Sequence, residues 1–211
     1  ALPVPVCDQS RDRAAHLSGA AIWLIRHAES EWNALGLWQG QANPPLSQRG
    51  RAQAEALASK LRIARFDALV SSDLLRARET AEIVAQAIGL PLVCDARLRE
   101  RNLGAWSGLT HAEIASRWPV DFARVQARDL DVRPGGGESI RDVALRARGY
   151  FEDLARDGAS GRIGVVAHGG VIRALCDVPP LANATWVKTT LASLLGAAVA
   201  APQQVGSPLR E

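Results

Sequence analysis

Two of the four histidines in this 211-residue chain follow short apolar runs. Ala20-Ala21-Ile22-Trp23-Leu24-Ile25 stops abruptly at Arg26-His27, and Ile163-Gly164-Val165-Val166-Ala167 stops at His168-Gly169. A neutral imidazole is a nucleophile, and it gains or loses a proton near physiological pH. Between the two histidines lie Arg76, in Leu74-Leu75-Arg76-Ala77-Arg78, and Glu100, in Arg97-Leu98-Arg99-Glu100-Arg101. A guanidinium offers a planar donor fork that matches phosphoryl oxygens, and a carboxyl group can hand a proton to a leaving oxygen. Such a set suits displacement at phosphorus. Each residue taken singly also has a plainer use. A histidine after a strand is more often packed than catalytic, arginines early in a helix usually make exposed ion pairs, and Glu100 fits a solvated charge run. The run Pro134-Gly135-Gly136-Gly137 is a weak phosphate signal and reads equally as a flexible loop.

The segments around these residues predict the elements that would position them. The run from Ala20 to Ile25 reads as a strand buried on both faces. Ser47 is a helix N-cap, and Ala54, Leu57, Ala58 and Leu61 recur at helical spacing, which predicts a helix over 47–62. A second strand is expected from Phe66 to Val70, followed by a helix over 73–88 that Gly89 closes. Leu92-Val93-Cys94 is a third strand. Thr110 with Glu113, and Ser139 with Asp142, form capping patterns that open helices. Ile163 to Ala167 is a further strand, with Gly169-Gly170 opening another helix. Strands alternating with helices imply a mostly parallel sheet with helices on both faces, whose functional crevice lies at the carboxyl ends of the strands. Arg26-His27, Ser71-Ser72 and His168-Gly169 all fall there.

Five stretches, in order along residues 20 to 176, resemble the histidine phosphatase superfamily with its phosphoglycerate mutase-like fold. They are Arg26-His27-Ala28-Glu29-Ser30-Glu31-Trp32-Asn33, Leu46-Ser47-Gln48-Arg49-Gly50, Ser71-Ser72-Asp73-Leu74-Leu75-Arg76, Leu98-Arg99-Glu100-Arg101-Asn102-Leu103-Gly104 and Val165-Val166-Ala167-His168-Gly169-Gly170. The resemblance implies a three-layer α/β/α sandwich and makes His27 the nucleophile, forming a phosphohistidine. Arg26, Arg76 and His168 would hold the phosphoryl oxygens, with Asn33 and the Gly169 amide as further donors. Glu100 would protonate the leaving oxygen and then activate water. For that it must hold a proton when substrate binds, so its neighbours Arg99 and Arg101 are expected to turn away from it or toward substrate. With so much fixed positive charge, no metal and no cofactor are expected.

Two departures from the family pattern stand out. Ala28 replaces the usual glycine after the histidine, a strained choice at positive φ and a harmless one in helical or extended backbone. After Leu175 the family's longer helix and connection are compressed, and residues 183–185 are where its last, Asn-containing strand would begin. A helix over 192–201 would be marginal.

The segment between Glu100 and Pro134 contains no lysine or tyrosine and no large insertion. That favours a phosphatase over a phosphoglycerate mutase-type phosphomutase, which needs further groups for a second phosphate. A non-catalytic member that binds phosphorylated ligands or a partner is the third reading. Trp32, Leu35, Leu37, Trp38 and Trp106 flank the site and could line a leaving-group pocket. The expected ligand is a small phosphorylated metabolite, with phosphate or sulfate as simpler occupants.

Composition bounds the remainder. Of 25 basic residues only Lys60 and Lys188 are lysines, and the net charge is +3. There is no dense basic run interleaved with aromatics, so nucleic acid is not an expected partner. No apolar run spans a bilayer, so no membrane is expected either. Cys7, Cys94 and Cys176 are an odd number without metal-ligand spacing, which suits a reducing cytoplasm. Residues 1–19 read as a poorly ordered lead-in, 20–190 as one domain and 191–211 as a tail of uncertain structure. The assembly is left open between a monomer and a homodimer.

Overall fold

Short apolar runs build most of the strands, and turn or capping residues separate them from the helices. The computed structural model describes residues 20–196, so the expected lead-in at 1–19 and the last part of the tail lie outside the described residues. In chain order the first elements are β1 (Ala21–Arg26), α1 (Glu31–Ala34), α2 (Gln48–Leu61), β2 (Ala68–Ser71), α3 (Leu75–Ile88) and β3 (Leu92–Cys94). Then come α4 (His111–Arg117), α5 (Pro119–Gln126), α6 (Ile140–Arg156), β4 (Arg162–Ala167), α7 (Gly169–Leu175), β5 (Trp186–Thr190) and α8 (Leu191–Gly196). The sheet order is β3-β2-β4-β1-β5. All neighbours run parallel except β5, which is antiparallel to β1.

Alternation of side chains sends the strands' apolar residues to both faces. Ile22 and Leu24 of β1, with Ile163 and Val165 of β4, meet Val143, Phe151, Ile172, Leu191 and Leu194 from α6, α7 and α8. Ile25, Leu69 and Val166 point the other way, onto Leu57, Leu61, Ala77 and Val84 of α2 and α3. Each such Leu, Ile or Phe side chain contributes about 1.5–3 kcal/mol when fully buried. The result is the expected α/β/α sandwich.

Helix starts follow the predicted caps. Ser47 accepts the Gly50 amide, Thr110 that of Glu113 and Ser139 that of Asp142, the last two as full capping boxes. Gly89 closes α3 in the left-handed conformation, at φ 72°. The helix expected over 73–88 starts at Leu75, because Ser72 and Asp73 are spent in the turn leaving β2. Of the helix considered over 192–201, residues up to Gly196 are helical and the others lie outside the described residues.

Two stretches differ from expectation. Residues 134–137 are not a free loop but a tight turn docked on residues 102–106. A Cβ on Gly104 would lie 2.0 Å from the Gly135 carbonyl oxygen, and one on Gly137 would lie 2.1 Å from that of Asn102. The glycines are there because backbone meets backbone. The last strand begins at Trp186, and the residues before it fold back onto the end of β1. The Ala184 amide donates to the His27 carbonyl at 3.2 Å, and the Arg26 amide donates to Thr185 at 2.8 Å.

Candidate active site

A cleft of about 410 Å³ opens at the carboxyl ends of the strands. Arg26, His27, Asn33, Arg76 and Glu100 bound it together, although they come from three separate stretches of sequence. His27 is only 3% exposed. Its Nδ1 lies 2.6 Å from the Ala28 carbonyl oxygen, an acceptor only, so Nδ1 carries the proton and Nε2 the lone pair. The Arg76 Nε–H donates to that lone pair at 3.3 Å. Burial, and then the charge of Arg76, hold the His27 pKa well below the ordinary 6.5. The ring is therefore neutral at neutral pH, with Nε2 facing the cleft's cations. Ala28 keeps a negative φ. Its amide donates to Thr80 Oγ1 at 3.0 Å and its methyl packs with Leu46 and Ala54. Alanine is harmless here.

Arg76 is not the exposed ion-pair residue that its place early in α3 suggests. It is 1% exposed, and its two terminal nitrogens donate to the Ala42 and Gly40 carbonyls at 2.8 Å each. Arg78, on the outer side of the same helix, makes the surface pair, with Glu82. Burial pulls the Arg76 pKa down to about 10, which leaves it a cation at neutral pH. Arg26 donates from Nη1 to the Leu181 carbonyl, while its Nε is buried without a hydrogen-bond partner.

His168 is fully buried, its ring centroid 5.1 Å from that of His27. Its Nε2 pairs with Ser72 Oγ at 2.9 Å, and its Nδ1 is buried with no partner. Burial, and then Arg76, push its pKa well below 6.5. Buried polar atoms are normally satisfied. Arg26 Nε, in a residue that lines the cleft, is therefore a donor that an oxyanion there would satisfy. Gly169 packs on the Arg26 guanidinium, with a virtual Cβ 3.6 Å from its Nε. His168 and Gly169 are not themselves among the residues bounding the cleft; Gly170 is. In Asn33, Oδ1 already accepts from the Ser30 and Asn183 nitrogens at 3.2 Å each, so its amide nitrogen is the end left to meet an anion.

Glu100 is held by backbone. Its Oε1 accepts the Arg101 amide at 2.7 Å and its Oε2 the Gly170 amide at 3.0 Å. A Cβ at Gly170 would lie 2.1 Å from Glu100 Oε1, so the carboxyl group can reach this position only over glycine. Neither flanking arginine side chain pairs with the Glu100 carboxylate, although Arg101 lines the same cleft. Arg99 forks onto Asp73 at 2.8 and 2.6 Å, and Arg101 donates to the Glu138 and Val132 carbonyls. Arg146 of α6 ties down the same stretch, donating to the carbonyls of Arg97 and Glu100.

Several further residues of this site were given no role in the sequence analysis. Ser72 orients His168, Arg146 braces Glu100, and Asn183 donates to the His27 carbonyl at 3.0 Å. Gln39 is buried at the cleft and accepts from Ser30 Oγ at 2.7 Å. Ser72 lies within the motif at the end of β2, and Asn183 in the stretch expected to open the last strand. Of the flanking apolar residues, Leu37 and Trp38 line the cleft, and Trp106 is core, 0% exposed among Leu103, Ile114 and Phe122. Leu35 is 67% exposed. Among the described residues no group of three His, Cys, Asp or Glu is placed to hold a metal ion.

Comparison with known proteins identifies the family. Residues 22–197 match the family model of the histidine phosphatase superfamily (branch 1). The chain is 38% identical over 152 residues to phosphoserine phosphatase 1 of Hydrogenobacter thermophilus, covering 72% of each protein. It is also 38% identical over 162 residues to a 2,3-bisphosphoglycerate-dependent phosphoglycerate mutase of Methylobacterium sp., covering 74% of this chain and 78% of that one. Among solved structures, a mycobacterial glucosyl-3-phosphoglycerate phosphatase in complex with VO3 superimposes with a TM-score of 0.73. That match has 36% identity and spans 80% of this chain and 90% of the other.

Proposed function

The chain belongs to the histidine phosphatase superfamily, branch 1, and from that premise we propose that it hydrolyses phosphomonoesters of small metabolites through a phosphohistidine, without a metal ion. The observation that carries the reading is the state of His27. One ring nitrogen is locked as a donor to Ala28, and the other holds its lone pair toward Arg76 in a cleft shared with Arg26 and Glu100.

In the first step His27 Nε2 attacks phosphorus in line as the P–O ester bond breaks, and Glu100 gives its proton to the departing alkoxide. Arg26, Arg76 and His168 take up the charge on the equatorial oxygens, the role a divalent cation plays elsewhere. In the second step water attacks phosphorus and passes a proton to the Glu100 carboxylate. The P–Nε2 bond breaks, releasing phosphate and restoring the starting protonation. The free thiols Cys94 and Cys176 fit a reducing cytoplasmic setting.

Hydrolysis is favoured over mutase chemistry because residues 101–134 bring no lysine or tyrosine to a second phosphate site. The decisive assay is hydrolysis of para-nitrophenyl phosphate at mildly acidic pH with EDTA present. Wild type should turn over regardless of chelator, and His27→Ala should lose at least about 10³-fold in kcat. Dependence on added metal, or an active His27→Ala protein, would refute the mechanism. Phosphoryl exchange between the 2- and 3-positions of phosphoglycerate, outpacing phosphate release, would make the protein a mutase.

A further inference from the structure

Three residues that bound the cleft, Arg26, His27 and Asn33, are gripped by one short stretch of chain, residues 181–185, that does not itself line it. Arg26 Nη1 donates to the Leu181 carbonyl, and the Arg26 amide donates to that of Thr185. The His27 carbonyl accepts twice, from the Ala184 amide at 3.2 Å and from Asn183 Nδ2 at 3.0 Å. The same Nδ2 donates to Asn33 Oδ1 at 3.2 Å. Ala184 holds φ 54°, in the left-handed region that alanine seldom takes. The turn is therefore kept at a conformational cost, as backbone at functional sites often is.

Two acceptors meeting at Asn183 Nδ2 fix which way that amide faces, because its Oδ1 in the same place would confront two oxygens. Asn183 helps to fix Asn33 in turn. Asn33 Oδ1 also accepts the Ser30 amide at 3.2 Å, so a flipped Asn33 would set its NH2 against two N–H donors. The NH2 is thus the end left for the cleft, where it can donate to an anion. The His27 amide donates to the Ala167 carbonyl at 3.0 Å. With its carbonyl held by residues 183 and 184, both backbone groups of the nucleophile are pinned. Such pinning matters for in-line displacement, since a misplacement of about 1 Å can cost about 10²-fold in rate.

We infer that Asn183 is a positioning residue for the reaction: it aligns His27 through its carbonyl and turns the Asn33 NH2 toward the phosphoryl group, without touching substrate. The effect on turnover rests on the hydrolase reading proposed above. The effect on phosphate binding does not need it.

Asn183→Asp tests this, because it puts an accepting oxygen where the NH2 donates and keeps the side chain's size. The affinity for inorganic phosphate is measured by calorimetry, and kcat with para-nitrophenyl phosphate. The variant should bind phosphate at least about fivefold more weakly and lose at least about tenfold in kcat. Its added charge could by itself repel an anion, so the same substitution is also made in Asn33→Ala protein. Repulsion by charge would persist there, whereas an effect carried by the Asn33 NH2 should shrink to within about twofold. Unchanged phosphate affinity in Asn183→Asp would overturn the proposal, as would an unchanged kcat or an equal loss of affinity in both backgrounds. Should the aspartate variant not fold, NMR of the wild type decides. On titration with phosphate the side-chain NH2 signals of Asn33 should move, and those of Asn183, spent within the protein, should stay. The reverse pattern would make Asn183 a phosphate contact and overturn its positioning role. If wild type hydrolyses no phosphomonoester while the phosphate results hold, the hydrolase reading fails and the positioning of Asn33 stands.

Discussion

Both oxygens of Glu100 accept backbone amides, so its acid proton must occupy one of the remaining lone-pair positions, facing the ester oxygen. Glutamine at this position keeps the length but offers only one acceptor oxygen. Its NH2 would confront either the Arg101 or the Gly170 amide, leaving one buried donor unpaired at a cost of about 1–3 kcal/mol. The chemical loss is larger and depends on the leaving group. Glu100→Gln should lower kcat on alkyl phosphates by about 10²–10⁴-fold, the usual worth of a positioned general acid. On para-nitrophenyl phosphate, whose phenolate needs no proton to depart, the first step should be far less affected. Inhibition by inorganic phosphate should change little, because the cations that hold it are untouched. The check is a kcat comparison across leaving groups of graded basicity. Near-normal turnover of the alkyl esters would remove Glu100 from the mechanism.

The turns over residues 102–106 and 134–137 behave as one element, though more than twenty residues separate them. Their contact is backbone on backbone, and Glu138 strengthens it by accepting the Asn102 amide and pairing with Arg146. Since Arg146 also holds the Glu100 carbonyl, loosening the pair should reach the acid. Gly137→Ala forces a methyl against the Asn102 carbonyl oxygen. It should cost about 1–3 kcal/mol by overpacking and reduce turnover as well. Gly136→Ala meets nothing within 4 Å and bears only a positive φ of 78°. It should cost about 1–2 kcal/mol and leave turnover near wild type. Urea unfolding with parallel kinetics separates the two, and equal effects would show that the docking does not matter. This coupling is invisible in the sequence, where three glycines after a proline signal a loop and nothing more. The first four strands were legible because they are short apolar runs with charged or small residues at their ends, and three helix starts because Ser47, Thr110 and Ser139 cap locally. β5, Trp186-Val187-Lys188-Thr189-Thr190, is no such run. Arg146 was not legible, and neither was the contact Asn183 makes with the His27 carbonyl, since these arise only once the sheet order brings α6 and the return to β5 around the same cleft.

Taken whole, the molecule buries two neutral histidines side by side in its interior, next to a cation. That arrangement links stability to pH. Burial holds the pKa of His27 and of His168 well below 6.5 in the folded protein, whereas the unfolded chain has ordinary histidines near that value. Between the two values the unfolded state binds more protons than the folded one, so unfolding free energy rises with pH in that window. The contribution is complete above about pH 6.5 and is lost as the pH falls below it, at up to about 1.4 kcal/mol per pH unit for each histidine. Carboxylates held low, such as Asp73 and Asp95 beside their arginines, add their own losses only at more acid pH. Urea midpoints measured at pH 7.5, 6.5, 5.5 and 5.0 should therefore be flat above 6.5 and fall steadily below it. His168→Asn should roughly halve that slope, provided the variant folds, and His27→Gln should halve it independently. Catalysis should tolerate the same acidification better than stability does, because His27 stays neutral in the folded state well below pH 6.5. A wild-type midpoint that does not move between pH 6.5 and 5.0 would mean that both rings accept protons inside the fold, and His27 would then lose its standing as a permanently available nucleophile.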